Sequence, residues 1–181
     1  MAMTLATARL MLREPESGDV DVLRAYHARN AGRFARWDPL PGDDPLVHAG
    51  WIDARRAEAQ AGKPATFLAF GRDSREIAAI VSLTSFGSEP SSAMLSYSVD
   101  GSLEGAGYAF EAVGSVVSYA FAELGLERIS AQYDPENVRS GRLLERLGFR
   151  NVAITAVIPG MEHLMRAHVL AVRDRPVEVT A

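Results

Sequence analysis

Between positions 109 and 124 the apolar residues fall at 112, 113, 116, 117, 120, 121 and 124, the three-to-four spacing of a helix with one buried face. Gly125 follows at the place where a left-handed residue ends such a helix. Next, Ile129, Ala131 and Tyr133 alternate with Arg128, Ser130 and Gln132, the period of a strand. Asp134, Pro135, Glu136 and Asn137 turn the chain into a short helix with Leu143, Leu144 and Leu147 inward and Gly148 at its end. Final strands are expected over 154–158 and 167–172. The first half reads as a meander. A strand over 9–13 is ended by Pro15, and Ser17 caps a helix carrying Val20, Leu23 and His27 on one face. A Pro-, Gly- and Asp-rich loop is expected over 31–45, and a helix over 51–60 is stopped by Gly62. Segments 66–70 and 76–86 read as strands linked by a hairpin, and 93–99 as a third. A meander followed by strand–helix–strand–helix–strand predicts a mixed α/β (α+β) sheet with helices on both faces.

Composition narrows the function classes. A length of 181 residues fits one domain, 1–181, and 48% apolar with 23% charged residues is an ordinary globular mixture. No cysteine is present. Disulfide scaffolds, thiolate zinc sites, iron–sulfur clusters and thiol nucleophiles are thereby excluded, and no metal site is expected. A net charge of −4 has the wrong sign for a general nucleic-acid binder. No apolar run approaches the ~20 residues of a membrane span, and the N-terminus lacks a signal-peptide core. The expectation is a cytoplasmic protein with neither membrane nor direct nucleic-acid partner.

The chemistry concentrates in SYSVDGSLEGAGYAFEAV, where a strand runs through Gly101, Gly105 and Gly107 straight into the long helix. Glycines let the backbone approach a ligand, and the helix N-terminus presents unpaired N–H groups, which together make a pyrophosphate site. A Walker loop needs a lysine here, and the only lysine is Lys63. A dinucleotide fingerprint needs a third glycine where Phe110 stands.

The loop resembles the acetyl-CoA loop of GNAT acetyltransferases, Gln/Arg-x-x-Gly-x-Gly/Ala, with Gly107 and Ala109 on its small positions. DPENVRSGRLLERLGF resembles the second family signature through Asn137, Ser140, Leu143, Gly148 and Phe149. TARLMLREP, AYHARNAGRFARWDP and RAHVLAV are similar to the ribosomal-protein-alanine N-acetyltransferase branch. The resemblance implies a six- or seven-stranded mixed sheet splayed at its fourth and fifth strands. Pantetheine would lie in the opening, paired to backbone near Ser98 and Val99. The N–H groups of Glu104, Gly105, Ala106, Gly107, Tyr108 and Ala109 would hold the pyrophosphate. Asn137 reads as a helix N-cap and as a pantetheine contact, roles that can coexist. Ser140 reads either as a small packing residue or as the donor that protonates the leaving thiolate. The implied function is direct acetyl transfer, in a ternary complex of a monomer or homodimer, from acetyl-CoA to a primary amine. The acceptor implied is the N-terminal alanine, or a similar small residue, of a protein such as a ribosomal protein. Acetylation of an aminoglycoside or polyamine, and acyl-CoA binding without turnover, are the rival readings.

Three residues depart from the family pattern. Glu104 replaces glutamine or arginine; a carboxylate ~6 Å from pyrophosphate would cost about 3 kcal/mol at an effective dielectric of ~20. It is therefore expected to point outward, with Arg139 or Arg142 compensating. Leu144 stands where many relatives carry an acidic tyrosine, and Met94 where a base would sit. A weak base suffices for one class of acceptor. An α-amino group is roughly 10–15% neutral at pH 7, against about 0.04% for lysine. His168 is the candidate base, its other reading being a half-buried strand residue. Glu111 reads as a carboxylate favoured in the first helical turn. Phe34 and Trp37 are expected to close over a small acceptor side chain or to pack the loop, and Asp38, Asp43 and Asp44 to attract a basic peptide or form a solvated turn.

Overall fold

The computed structural model describes residues 3–35, 37, 42–62, 65–85, 91–155 and 168–176. Its elements in chain order are β1 Thr4–Ala6, β2 Leu10–Arg13, α1 Val20–Phe34, α2 Pro45–Gln60, β3 Thr66–Gly71, β4 Ile77–Ser85, β5 Ser92–Val99, α3 Tyr108–Ala122, β6 Arg128–Tyr133, α4 Val138–Arg146, β7 Arg150–Thr155 and β8 His168–Asp174. Short 3-10 turns, Ser17–Asp19 and Gly101–Leu103, precede α1 and follow β5. The strands form one sheet in the order β1-β2-β3-β4-β5-β6-β8-β7. Among the described residues only β5 and β6 pair in parallel, as α3 crosses between them, and the sheet has eight strands, one more than the upper expectation. The three-residue β1 pairs Leu5 with Leu12 and is too short to show alternation in sequence.

Two cores cover the two faces. Leu10, Leu12, Phe67, Val81 and Leu95 pack against Val113, Val116, Val117 and Phe121 of α3 and Leu144 of α4. Leu68, Ile77 and Ile80 pack on the other face against Leu23 and Tyr26 of α1 and Ile52 of α2. The expected helical stripe is the buried face of α3, with Ala112, Val113, Val116, Val117, Ala120 and Phe121 all buried. Leu124 lies just beyond the helix and packs on the same core half-buried.

Three boundaries differ from expectation. Glu16, not Ser17, starts the first turn, because the Asp19 carboxylate accepts from the Glu16 N–H at 2.7 Å and is clamped by two 2.7 Å bonds from Arg13. Helix α1 runs on through Ala31, Gly32, Arg33 and Phe34, since the Phe34 ring packs on Tyr26 at 5.9 Å between centroids. Helix α2 starts at Pro45 rather than 51, with Asp44 accepting from the Leu46 N–H at 2.8 Å. Leu46 and Val47 are exposed, so this first turn carries no buried stripe to read in the sequence. The expected final strands appear as β7 and β8; 156–158 and 167 lie outside the described residues, as do 86–90, Asp38 and Lys63.

The sheet opens between β5 and β6. Their register runs from Ser92 with Arg128 to Leu95 with Ala131 and stops. Beyond it, residues 96–99 pair only with β4, while Gln132 and Tyr133 pair only with β8. The opening falls between the fifth and sixth strands because β1 is counted.

Candidate active site

The opening leads into a cavity of about 850 Å³ walled by β5, the loop before α3, the first turns of α3 and α4, and the end of α1. Its strand wall carries free backbone. The Asp100 N–H donates to Ala78 O at 2.8 Å. Antiparallel pairs alternate between bonded and non-bonded, so Ser98 and Ser96 are bonded to β4 through Ile80 and Ser82. The N–H and C=O groups of Tyr97 and Val99 consequently point into the opening. A pantetheine amide fits that edge as a further strand would. The sequence placed this edge at Ser98 and Val99. Ser98 lines the cavity, but its hydroxyl accepts from Tyr26 at 2.8 Å and its main chain is bonded to β4.

The loop is held from both ends. Asp100 accepts from the Ser102 N–H and hydroxyl at 2.9 and 2.6 Å, from Asn30 at 3.1 Å, and from Arg29. Asn30 in turn accepts from the Gly101 N–H at 2.8 Å, and Arg29 reaches Ile77 O at 2.6 Å. Burial of Asp100 pushes its carboxyl up, but the bonds from Ser102, Arg29 and Asn30 outweigh it and hold the group well below the usual carboxylate range. At the far end Arg9 donates to Ala106 O at 2.9 Å and to the Glu111 carboxylate at 2.7 Å, with its guanidinium 4.1 Å from the centre of the Tyr108 ring. Thr7 also donates to Glu111. Burial raises the Glu111 carboxyl, yet the Thr7 and Arg9 bonds set it below its ordinary value. Glu111 is thus an anchor of the α3 terminus.

Between these anchors Gly105 and Gly107 are left-handed, with φ of 75° and 84°. Asp44 caps α2 and Asn137 caps α4, but no side chain caps α3. The N–H groups of its first turn, which no helix satisfies internally, are left to face a ligand. Glu104, Gly105, Gly107 and Ala109 line the cavity; Ala106 and Tyr108 lie against Arg9. This uncapped, glycine-bent turn fits a diphosphate.

On the opposite wall Asn137 accepts from the Ser140 N–H at 3.2 Å, so its capping role is real, and both residues line the cavity. The Ser140 hydroxyl lies 2.6 Å from the Tyr97 hydroxyl, bridging the opening. Burial pushes the Tyr97 phenol up to about 12, although its bond to Ser140 pulls the other way. Tyr97 is a site residue without a local mark in the sequence, since its partner lies 43 residues away. On its other side Gly141 lets α4 approach β6, because a Cβ there would sit 2.9 Å from the Tyr133 ring. Leu144 is buried in the core. His168 is buried at the start of β8 and is not among the residues lining the cavity.

Four arginines, Arg33, Arg139, Arg142 and Arg146, line the cavity with Glu104 and Glu136. The Glu104 carboxylate pairs with Arg139, as expected, and with Arg33, which was not foreseen. It lines the cavity instead of pointing outward. Phe34 and Trp37 line the α1 end of the cavity, and Phe34 also packs on Tyr26, which is the packing alternative of its two expected roles. Asp43 pairs with Arg24 at 2.9 Å and Asp44 caps α2. These two contacts hold the turn before α2, the solvated-turn alternative of the expectation.

Removing the Asp100 charge tests the anchoring of the loop. Asp100→Asn should lower stability at pH 7 by about 2–3 kcal/mol, since charged hydrogen-bond partners are left unmatched. A depressed carboxyl stabilises the fold fully above its unfolded value of ~4 and loses that contribution as pH falls below it. Urea unfolding should show the gap between the two proteins shrinking from pH 7 to pH 3; a gap unchanged over that range would refute the assignment.

A splayed mixed sheet, a free strand edge in the splay and an uncapped glycine turn beside it define an acyl-CoA-dependent acyltransferase fold. The model of the GNAT acetyltransferase domain matches residues 9–150, and the chain belongs to that family of N-acetyltransferases, with acetyl-CoA as cosubstrate. The chain is 29% identical over 176 residues to the ribosomal protein uS5-alanine N-acetyltransferase of Escherichia coli, covering 95% of this chain and 91% of that one. The ribosomal-protein-S5-alanine acetyltransferase of Vibrio fischeri superposes with a TM-score of 0.87 at 21% identity, over 96% and 97% of the two chains. A ribosomal L7/L12 alpha-N-protein acetyltransferase in complex with coenzyme A gives 0.84 at 15% identity, over 95% and 98%.

Proposed function

We propose that this protein transfers the acetyl group of acetyl-CoA to the N-terminal amine of a protein whose first residue is small, alanine foremost, a ribosomal protein being the fitting class. The observation that carries this reading is one continuous cavity running from the uncapped loop, past the free edge of β5, to Phe34 and Trp37. The likeness along 95% of the chain to an enzyme named for an N-terminal alanine supports the acceptor. Among the described residues no helix is long and apolar enough to cross a membrane.

Bound acetyl-CoA supplies the activated thioester. The loop N–H groups and the rim arginines neutralise phosphate charge. The Tyr97 and Val99 edge orients the acyl arm, and a free N–H there stabilises negative charge developing on a carbonyl oxygen. In this reading Ser140 Oγ gives a proton to the departing sulfur and takes in its place the proton shed by the attacking amine, while the Tyr97 phenol, which keeps its own proton, acts as the donor in their 2.6 Å pair and leaves the serine hydrogen free to turn toward the cavity. An α-amine requires little help from a base, because about a tenth of it is neutral at pH 7.

An aminoglycoside is the rival acceptor, and a direct comparison of substrates separates the two. Relative kcat/KM should favour an alanine-starting peptide over a panel of aminoglycosides, and blocking the peptide N-terminus should abolish turnover. Activity that survives the block, or a preference for any aminoglycoside, would overturn the proposed acceptor.

A further inference from the structure

Glu104 breaks the family motif by putting a negative charge into the loop that faces the ligand, and its contacts show what it does there. Its carboxylate holds two guanidinium groups from opposite walls of the cavity, Arg33 from the last turn of α1 and Arg139 from the first turn of α4. The Glu104 side chain is 24% exposed, against 46% for Arg33 and 80% for Arg139. The carboxylate therefore lies deeper, and the arginines close over it. Arg33 crosses on Gly101, where a Cβ would come within 2.5 Å of its Cδ; any larger residue would push the guanidinium off this path.

We infer that Glu104 is an internal competitor for the cosubstrate's diphosphate, and that acetyl-CoA binds by taking Arg33 and Arg139 away from it. The inference rests on the reading of 104–109 as the acetyl-CoA loop. Two guanidiniums on one carboxylate keep a net positive charge, which draws a dianionic group to the same place. Once that group is seated, the carboxylate is a third anionic partner beside two cations and swings out to solvent. A carboxylate and a phosphate offer guanidinium the same planar pairing, so the exchange costs the arginines nothing in geometry. The ion pairs are partly exposed and individually weak, as a displaceable latch requires.

Glu104→Gln keeps the size of the side chain and removes its charge. Calorimetric titration of the full chain should show acetyl-CoA binding roughly tenfold more tightly to this variant, which corresponds to about 1.4 kcal/mol. Glu104→Ala should shift affinity the same way, excluding amide bonds to the arginines as the cause. Acetyl-pantetheine, which carries the thioester without a diphosphate, should bind both variants as it binds the wild type. Unchanged or weaker acetyl-CoA binding by both variants would overturn the inference, making Glu104 a scaffold that holds the arginines for the ligand. Equal tightening for acetyl-pantetheine would also overturn it, since the effect would not lie at the diphosphate. Failure of wild type and variants alike to bind acetyl-CoA would instead remove the loop assignment, and the inference with it.

Discussion

Gly107→Val is expected to weaken acetyl-CoA binding about a hundredfold while leaving the protein folded. Gly107 sits at φ 84° immediately before the uncapped α3. A β-branched residue is a true outlier in that region, so the loop must rotate its peptides to relieve the strain. That rotation withdraws N–H groups from the diphosphate, and each such bond to a charged partner contributes about 1.5–3 kcal/mol; losing one or two accounts for the hundredfold. The Cβ itself would meet only Arg9, at 3.4 Å from Nη2, so a gross clash with the core is not the cause. Gly125→Val is the control. Gly125 is also left-handed, at φ 66°, and lies in open space beyond the far end of α3. Both variants should lose comparable thermal stability, and only Gly107→Val should lose affinity. Equal affinities for the two would show that acetyl-CoA is bound elsewhere.

The parts of this fold legible in sequence are those where one physical signal dominates. The α3 stripe is buried on one side and solvated on the other, and its period is read directly from Ala112 to Phe121. The glycine loop is legible because left-handed turns leave few residue choices. The start of α2 was missed because Leu46 and Val47 are exposed and the Asp44–Pro45 cap carries no periodicity. The splay itself was reached through family resemblance; no local pattern marks where β5 stops pairing with β6, since Ser96, Tyr97, Ser98 and Val99 alternate as any strand does. Pairings across the chain were invisible for the same reason. Tyr97 with Ser140 is separated by 43 residues, and Arg29 with Asp100 by 71. The Arg33–Glu104 pair depends on α1 extending to Phe34, which the Gly- and Pro-rich composition around it concealed.

Ser140→Ala should lower kcat by about tenfold or more while leaving the acetyl-CoA dissociation constant nearly unchanged, the pattern of a group that acts only as the sulfur departs. Tyr97→Phe should lower kcat less, by about threefold to fivefold, because it removes the hydroxyl that orients the serine proton and leaves the proton itself. The two hydroxyls, 2.6 Å apart, act as one unit, so the double variant should be no slower than Ser140→Ala alone. Leu144 provides no substitute, being buried away from the cavity. Thiol release under saturating acetyl-CoA gives kcat, and calorimetry on the same proteins gives affinity. A fully active Ser140→Ala protein would reduce Ser140 to a small residue packed beside the ligand. Additive losses in the double variant would show that Tyr97 acts on its own, and the bridge across the splay would then be structural.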